Sequence, residues 1–266
     1  MRDSRPSGKA LVVVPTYIER DHISELVGRL FDAAGGRVDL LVIDDSSPDG
    51  TAEAVRALAA TRADVNLIER PRKLGLGTAY VTGFLWGLER GYRVIVEMDA
   101  DLSHDPIDIP RLLAAAAEGA DLVVGSRYVP GGRIQNWGRF RRSLSRAANT
   151  YARLWLGYDV RDSTAGFRAY RAEILERIDL PALRSQGYAF QIEMTRRVHL
   201  LGGRIEEVPI TFVERAIGAS KMTLTIVVEA LINVARWGLA DRLGRRRLPS
   251  WSLEGRELSA PSNSAR

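Results

Sequence analysis

The stretch VIVEMDADLSHDP at residues 94–106 decides how this chain is read. Val94, Ile95 and Val96 form a β-branched run that gives way to carboxylates at Asp99, Asp101 and Asp105. Such a run, bounded by polar residues, predicts a buried strand. In an open α/β sheet, ligands sit just past the carboxyl ends of strands, so Asp99 and Asp101 fall where that fold places its chemistry. Two carboxylates one residue apart at a strand-to-loop turn can converge on one hard cation; Mg2+ and Mn2+ prefer oxygen ligands and bridge phosphates. The same Asp-Ala-Asp also suits a helix cap or a turn, and the doublet alone does not choose.

Reading outward, the pattern repeats. ALVVV (10–14) is a short apolar run ending at Pro15-Thr16-Tyr17, and a helical pattern over 21–34 follows, with Ile23, Leu26, Val27, Leu30 and Phe31 on one face. Residues 40–43 form a second strand ending in Asp44-Asp45, and 65–68 a third. Gly75-Leu76-Gly77 is a turn into a helix through Leu88; it permits close backbone approach and is a weak dinucleotide signal, lacking the third glycine. Residues 122–124 form a fifth strand, ending in Gly125-Ser126-Arg127. Strand and helix alternate, which predicts an α/β fold: a mostly parallel central sheet flanked by helices, every polar cluster facing the same rim.

The second half is less regular. Residues 139–156 read as a helix with Leu144, Ala148, Tyr151 and Trp155 on one stripe and Arg142, Arg146, Asn149 and Arg153 on another. Residues 189–201 suggest a helix, 204–213 a single alternating strand, and 222–243 an amphipathic helix. The expected organisation is a flexible start at 1–9, a globular domain over 10–221, an amphipathic helix with a basic end over 222–247, and a disordered tail over 248–266.

Composition narrows the function. The chain has 266 residues, no cysteine, 45% hydrophobic residues and a net charge of +5. Disulfides, thiolate zinc sites and a cysteine nucleophile are excluded. The polar start has no apolar signal region, so a cytosolic origin is expected. No charge-free apolar run approaches the roughly 20 residues that span a bilayer. A mild basic excess suits anionic substrates or lipid heads, and no nucleic-acid motif appears.

At the rim, Asp44 and Asp45 end a strand, where a carboxylate can accept hydrogen bonds from ribose hydroxyls or a base amide, while Ser47-Pro48-Asp49-Gly50 also reads as a tight turn in which Ser47 or Asp49 caps the next helix. Arg127 offers a fork for diphosphate oxygens, or forms an ion pair. Arg139, Arg141 and Arg142, beside Ser143 and Ser145, form either a solvated face or a clamp for a second phosphate. Arg215 and Lys221 lie in a polar loop of the kind that closes over a ligand. His22, His104 and His199 are too scattered for a metal triad, and His104 reads as a turn residue.

Pro15-Thr16-Tyr17 with Glu19, DDSSPDGT (44–51), KLGLGTAY (73–80), MDADLSHDP (98–106), GSRY (125–128), STAGFRAY (163–170) and the Arg215–Lys221 pair together resemble the polyprenol (dolichyl) phosphate mannose synthases, inverting GT-A glycosyltransferases with a Rossmann-like core. The resemblance runs from about Val12 to Met222. It implies that Pro15, Tyr17, Glu19, Ile43 and Asp45 hold guanosine, and that Asp99, Ala100 and Asp101 bind the diphosphate. Mg2+ or Mn2+ would sit on Asp99 and Asp101, helped by Ser103. Arg127, Arg215 and Lys221 would contact the sugar nucleotide, with Asp101, Arg127 and Lys221 central to catalysis. Arg141 and Ser145 would take the acceptor phosphate. Ile18 stands where that family usually has Asn.

The expected reaction is metal-dependent, inverting transfer of mannose from GDP-mannose to a polyprenyl phosphate. The alternative is glucose transfer from UDP-glucose to the same acceptor. A non-catalytic nucleotide-binding protein and a nucleotidyltransferase are less compatible with intact Asp99, Asp101, Arg127 and Lys221 and with the absence of a basic glycine-rich loop after the first strand. The lipid acceptor implies peripheral attachment to the cytoplasmic face of a membrane, through the last helix and its arginines, with or without a separate transmembrane partner.

Overall fold

The computed structural model describes residues 8–214 and 224–244. Its centre is a seven-stranded sheet built from β1 (Ala10–Thr16), β2 (Val38–Asp44), β3 (Val65–Glu69), β4 (Val94–Glu97), β5 (Leu122–Ser126), β7 (Arg168–Arg171) and β8 (Ile205–Pro209). The spatial order is β3-β2-β1-β4-β7-β5-β8. All pairings are parallel except those of β7, which runs antiparallel to β4 and β5. Arg168, the first residue of β7, pairs with Glu97 on one side and Val124 on the other. The chain entering β7 therefore arrives at the same rim as the carboxyl ends of the parallel strands.

The helices are α1 (Arg20–Ala34), α2 (Thr51–Thr61), α3 (Leu76–Glu89), α4 (Ile109–Ala117), α5 (Arg139–Leu156), α6 (Ala172–Leu175), α7 (Gly187–Leu200) and α8 (Leu224–Arg242). A sheet covered on both faces needs strands that are apolar throughout. In β1, Leu11 and Val13 face the cluster of Tyr80, Phe84 and Phe190, while Val12 and Val14 face that of Ile23, Leu26 and Leu112. Gly83 lets α3 lie directly on the sheet: a Cβ there would stand 2.3 Å from Val13 Cγ1.

One expectation is corrected. The stretch 204–213 is not one strand. Pro209 has no N–H to continue a ladder, and the chain changes sheets at Ile210, whose N–H donates to the Ser126 carbonyl while its carbonyl accepts from Arg133 N–H. Beyond it, β9 (Thr211–Val213) pairs with β6 (Arg133–Gln135), a strand too short to show in the pattern. Asn149, on the α5 stripe that carries Arg142, Arg146 and Arg153, is 2% exposed and donates to the Ser145 carbonyl and to Thr164 Oγ1.

Helix α8 packs on α5 and α7. Val234 is buried, and a Cβ on Gly238 would come within 2.7 Å of the Trp155 carbonyl. Ile232, Leu239 and Leu243 remain exposed. No helix among the described residues is long and apolar enough to cross a membrane. The expected tail at 248–266 and the Arg215–Lys221 loop lie outside the described residues.

Candidate active site

A cleft of about 390 Å3 opens at the carboxyl rim of the sheet. Pro15 reaches it from the end of β1, Tyr17 and Glu19 from the segment that follows, Asp45 from just past β2, Asp99, Ala100, Asp101 and Ser103 from the loop after β4, Arg127 from just past β5, and Arg141 from α5. These are the candidates expected from sequence. Ile43 is not among them: its side chain is fully buried in the core. Arg215 and Lys221 lie outside the described residues.

The two neighbouring carboxylates after β2 divide their tasks. Asp44 accepts from Thr16 Oγ1 (2.9 Å), Ser47 N–H (2.9 Å) and Ser47 Oγ (2.6 Å), and so closes the turn. Asp49 accepts from Thr51 N–H and Oγ1 at the start of α2. Asp45 faces the cleft, paired with buried Arg70 and accepting the N–H groups of Leu74 (3.1 Å) and Gly75 (3.3 Å). The Gly75-Leu76-Gly77 turn provides the close approach expected of it. Gly75 has φ +98°, and a Cβ on Gly77 would lie 2.6 Å from the Ser185 carbonyl. Lys73 Nζ stands 3.8 Å from the centre of the Tyr17 ring, a cation–π contact at the cleft mouth.

After β4, Asp99 Oδ1 accepts from Tyr80 OH at 3.2 Å, and Asp101 Oδ1 accepts from Ser103 N–H (3.0 Å) and Oγ (2.6 Å). Ser103 therefore orients Asp101. Among the described residues no group of three His, Cys, Asp or Glu could hold a metal ion by itself. Mg2+ and Mn2+ do not require one, since they bind through one or two carboxylates completed by substrate phosphates and water. The donor set fits such an ion. His104 is not the turn residue expected. It is 2% exposed, stacked on Phe167, and burial pushes its pKa down to about 4, so the ring is neutral.

Arg127 is fully engaged. Its Nε donates to Asp162 Oδ2 (2.7 Å), its Nη2 to Asp162 Oδ1 (2.6 Å) and to Thr164 Oγ1 (2.9 Å), and its backbone N–H also reaches Asp162. Burial would lower the Arg127 pKa, but Asp162 outweighs it and raises it; burial would raise that of Asp162, and Arg127 lowers it. Arg141 is paired with Glu214, its guanidinium 4.2 Å from the centre of the Trp137 ring. Ser145 is separated from the main cleft. It accepts from Tyr128 OH and lines an adjoining apolar pocket of about 60 Å3, walled by Leu144, Tyr151, Ile192, Leu231 and Val234. Cleft and pocket share Arg127, Trp137, Thr164 and Tyr188.

Arg70, Asp162 and Gln191 escaped the sequence reading. Arg70 directly follows β3, and the after-strand rule used for Asp99 finds it. Asp162 and Gln191 carry no local signal; only the fold brings them to the rim.

Residues 11–179 match the model of glycosyl transferase family 2. A polyprenol monophosphomannose synthase of Mycolicibacterium smegmatis is 52% identical over 244 residues, covering 91% of this chain and 92% of that one. An undecaprenyl-phosphate mannosyltransferase of Micrococcus luteus is 53% identical over 234 residues, covering 88% and 96%. Among solved structures, glucosyl-3-phosphoglycerate synthase from Mycobacterium tuberculosis superposes with a TM-score of 0.64 at 19% identity, covering 88% of this chain and 82% of that one, a likeness of fold. The α/β architecture is that of a GT-A glycosyltransferase. The chain belongs to glycosyl transferase family 2 and, within it, to the polyprenol phosphate mannose synthases. It is an enzyme, a mannosyltransferase.

Proposed function

We propose that this enzyme transfers mannose from GDP-mannose to the phosphate of a polyprenyl phosphate, with inversion and with Mg2+ or Mn2+ bound. The observation that carries this reading is the continuity of a polar cleft holding Asp45, Asp99 and Asp101 with an apolar pocket at Leu144, Ile192 and Leu231. A phosphorylated lipid needs such a junction, and a wholly water-soluble acceptor does not.

Pro15, Tyr17, Glu19 and Asp45 form the nucleoside end, where carboxylates accept from the N–H groups of guanine and the hydroxyls of ribose. Asp99 and Asp101, oriented by Tyr80 and Ser103, would hold the metal ion, which supplies positive charge to the diphosphate as it departs. The acceptor is a phosphate monoester whose second pKa is about 6. It is largely dianionic at neutral pH and needs no general base, consistent with a cleft whose one imidazole among the described residues, His104, is buried. One phosphate oxygen forms the new bond to the sugar C1, the bond from C1 to the GDP oxygen breaks, and GDP leaves with the electron pair. The protein's task is to hold two repelling anions in line. Arg141 would exchange Glu214 for the acceptor phosphate, while Asp162 holds Arg127 rigid between the two phosphates. Arg215 and Lys221, outside the described residues, are the further cations that the resemblance implies for the sugar nucleotide.

A lipid acceptor places the enzyme at a membrane surface. Exposed Ile232 and Leu239 on α8 and Leu243 just past its end, spaced with Arg236 and Arg242, suit peripheral docking at the cytoplasmic face. A separate transmembrane partner could share that task.

The test is transfer of radiolabelled hexose into organic-extractable lipid, with polyprenyl phosphate as acceptor. GDP-mannose should label the lipid, UDP-glucose should not, and excess EDTA should abolish labelling until Mg2+ or Mn2+ is restored. Labelling from UDP-glucose alone would overturn the donor, and undiminished transfer in EDTA would overturn the metal.

A further inference from the structure

Three polar side chains crowd around Gly166 on the floor of the cleft. A Cβ built on Gly166 would lie 3.6 Å from Asp99 Oδ2, 3.8 Å from Gln191 Nε2 and 3.8 Å from His104 Cε1. Gln191 is 3% exposed and His104 2%. Both atoms of the Gln191 amide, and Nδ1 of His104, lack a hydrogen-bond partner. Gln191 stands near enough to Glu97 to help lower its pKa against the rise caused by burial, yet no hydrogen bond of good geometry joins the two. Buried amides are almost always paired, and leaving one unpaired is costly. A recess that holds a buried amide with neither atom hydrogen-bonded, beside the Asp99 carboxylate and the His104 ring 3.9 Å from it, and that opens into a cleft, suits a guest bearing hydroxyl groups.

The order of the rim says which guest. The nucleoside end lies at β1 and β2, the two carboxylates at β4, and Gly166 leads into β7, the next strand over. With the diphosphate at Asp99 and Asp101, the group that follows along a sugar nucleotide is the hexose. It falls on the side away from the nucleoside and before Arg141. Hexose hydroxyls both donate and accept, and so does a side-chain amide. The missing Cβ at 166 leaves the room.

We propose that the recess at Gly166 receives the donor hexose, with the Gln191 amide hydrogen-bonding its ring hydroxyls, so that Gln191 is a residue that determines sugar specificity. This rests on the sugar-nucleotide reading above. A site built to pair with a hydroxyl discriminates strongly against a ligand that leaves it unpaired.

Two variants separate this from a structural role. Gln191→Met keeps the length of the side chain and removes both hydrogen-bonding atoms. Gly166→Ala places a methyl at ordinary contact distance, so the fold tolerates it while the recess shrinks. The measurement is the Kd of GDP and of GDP-mannose by calorimetry with Mn2+, together with kcat/KM and Tm. For both variants GDP should bind within twofold of wild type, while GDP-mannose binding and kcat/KM fall tenfold or more. Equal weakening of GDP and GDP-mannose, an unchanged kcat/KM, or a Gln191→Met variant altered only in Tm, as expected of a mere neighbour of Glu97, would overturn the inference alone. Wild-type protein that bound neither ligand would overturn the sugar-nucleotide reading and this inference with it.

Discussion

Ile18 sits at φ +61°, in the left-handed region, 52% exposed, just before Glu19. A β-branched side chain there is strained, and little burial offsets it. Asn tolerates this conformation far better, which accounts for its use at this position in the resembling family. Ile18→Asn should stabilise the fold by about 1 kcal/mol and raise Tm by about 2–4 °C, read by thermal unfolding. Asp162 predicts the opposite sign. Asp162→Ala leaves the buried Arg127 charge without its partner, a loss of about 3–5 kcal/mol in denaturant unfolding. Its pKa is depressed in the fold, so its contribution is present above the ordinary 3.8 and is lost as pH falls toward the depressed value. The acid limb of the stability profile should therefore shrink in Asp162→Asn. Asp45, Asp99, Asp101 and Arg127 were legible because each follows a strand. The partner that fixes Arg127 was not, because it lies 35 residues away and only the antiparallel entry into β7 delivers it.

The elements of the first half were legible because strands buried on both faces leave uninterrupted apolar runs, as in β1 and β2. What failed did so for local reasons. Ile210 alternates correctly with its neighbours yet hands the chain to a second sheet, and alternation carries no record of which sheet a residue pairs in. Asn149 shares its helical stripe with three arginines, yet the STAG turn covers it through Ser163 and Thr164, a contact that a helical pattern does not record. The contact of α3 with β1 is the most sensitive element junction. Gly83→Ala must push the helix off Val13, where the Cβ would come within 2.3 Å. A loss of about 1–3 kcal/mol is expected, with depressed turnover because α3 carries Tyr80 to Asp99. Urea unfolding with a parallel transfer assay checks both.

The net charge of the whole molecule is +5, and its exposed apolar residues include several on α8, the helix whose Leu231 and Val234 wall the apolar pocket. The protein should sediment with vesicles containing phosphatidylglycerol and be released by salt, since exposed charge pairs are screened beyond about 10 Å at 0.1 M. Leu239→Glu with Leu243→Glu should lower vesicle binding at least tenfold while leaving transfer to a short-chain, detergent-soluble acceptor intact. Vesicle binding that ignored both salt and this double variant would remove α8 from the docking surface.

The placement of β7 between β4 and β5 has a consequence for synthesis. When Ser126 has left the ribosome, five strands of the sheet exist, but β4 and β5 cannot zip together because the strand that joins them has not been made. Another 45 residues, to Arg171, must emerge first. At about 5–20 residues per second that is a delay of roughly 2–9 s. During it the nascent chain carries two sticky, unzipped borders, Val94–Glu97 and Leu122–Ser126, and holding them apart is work for a chaperone.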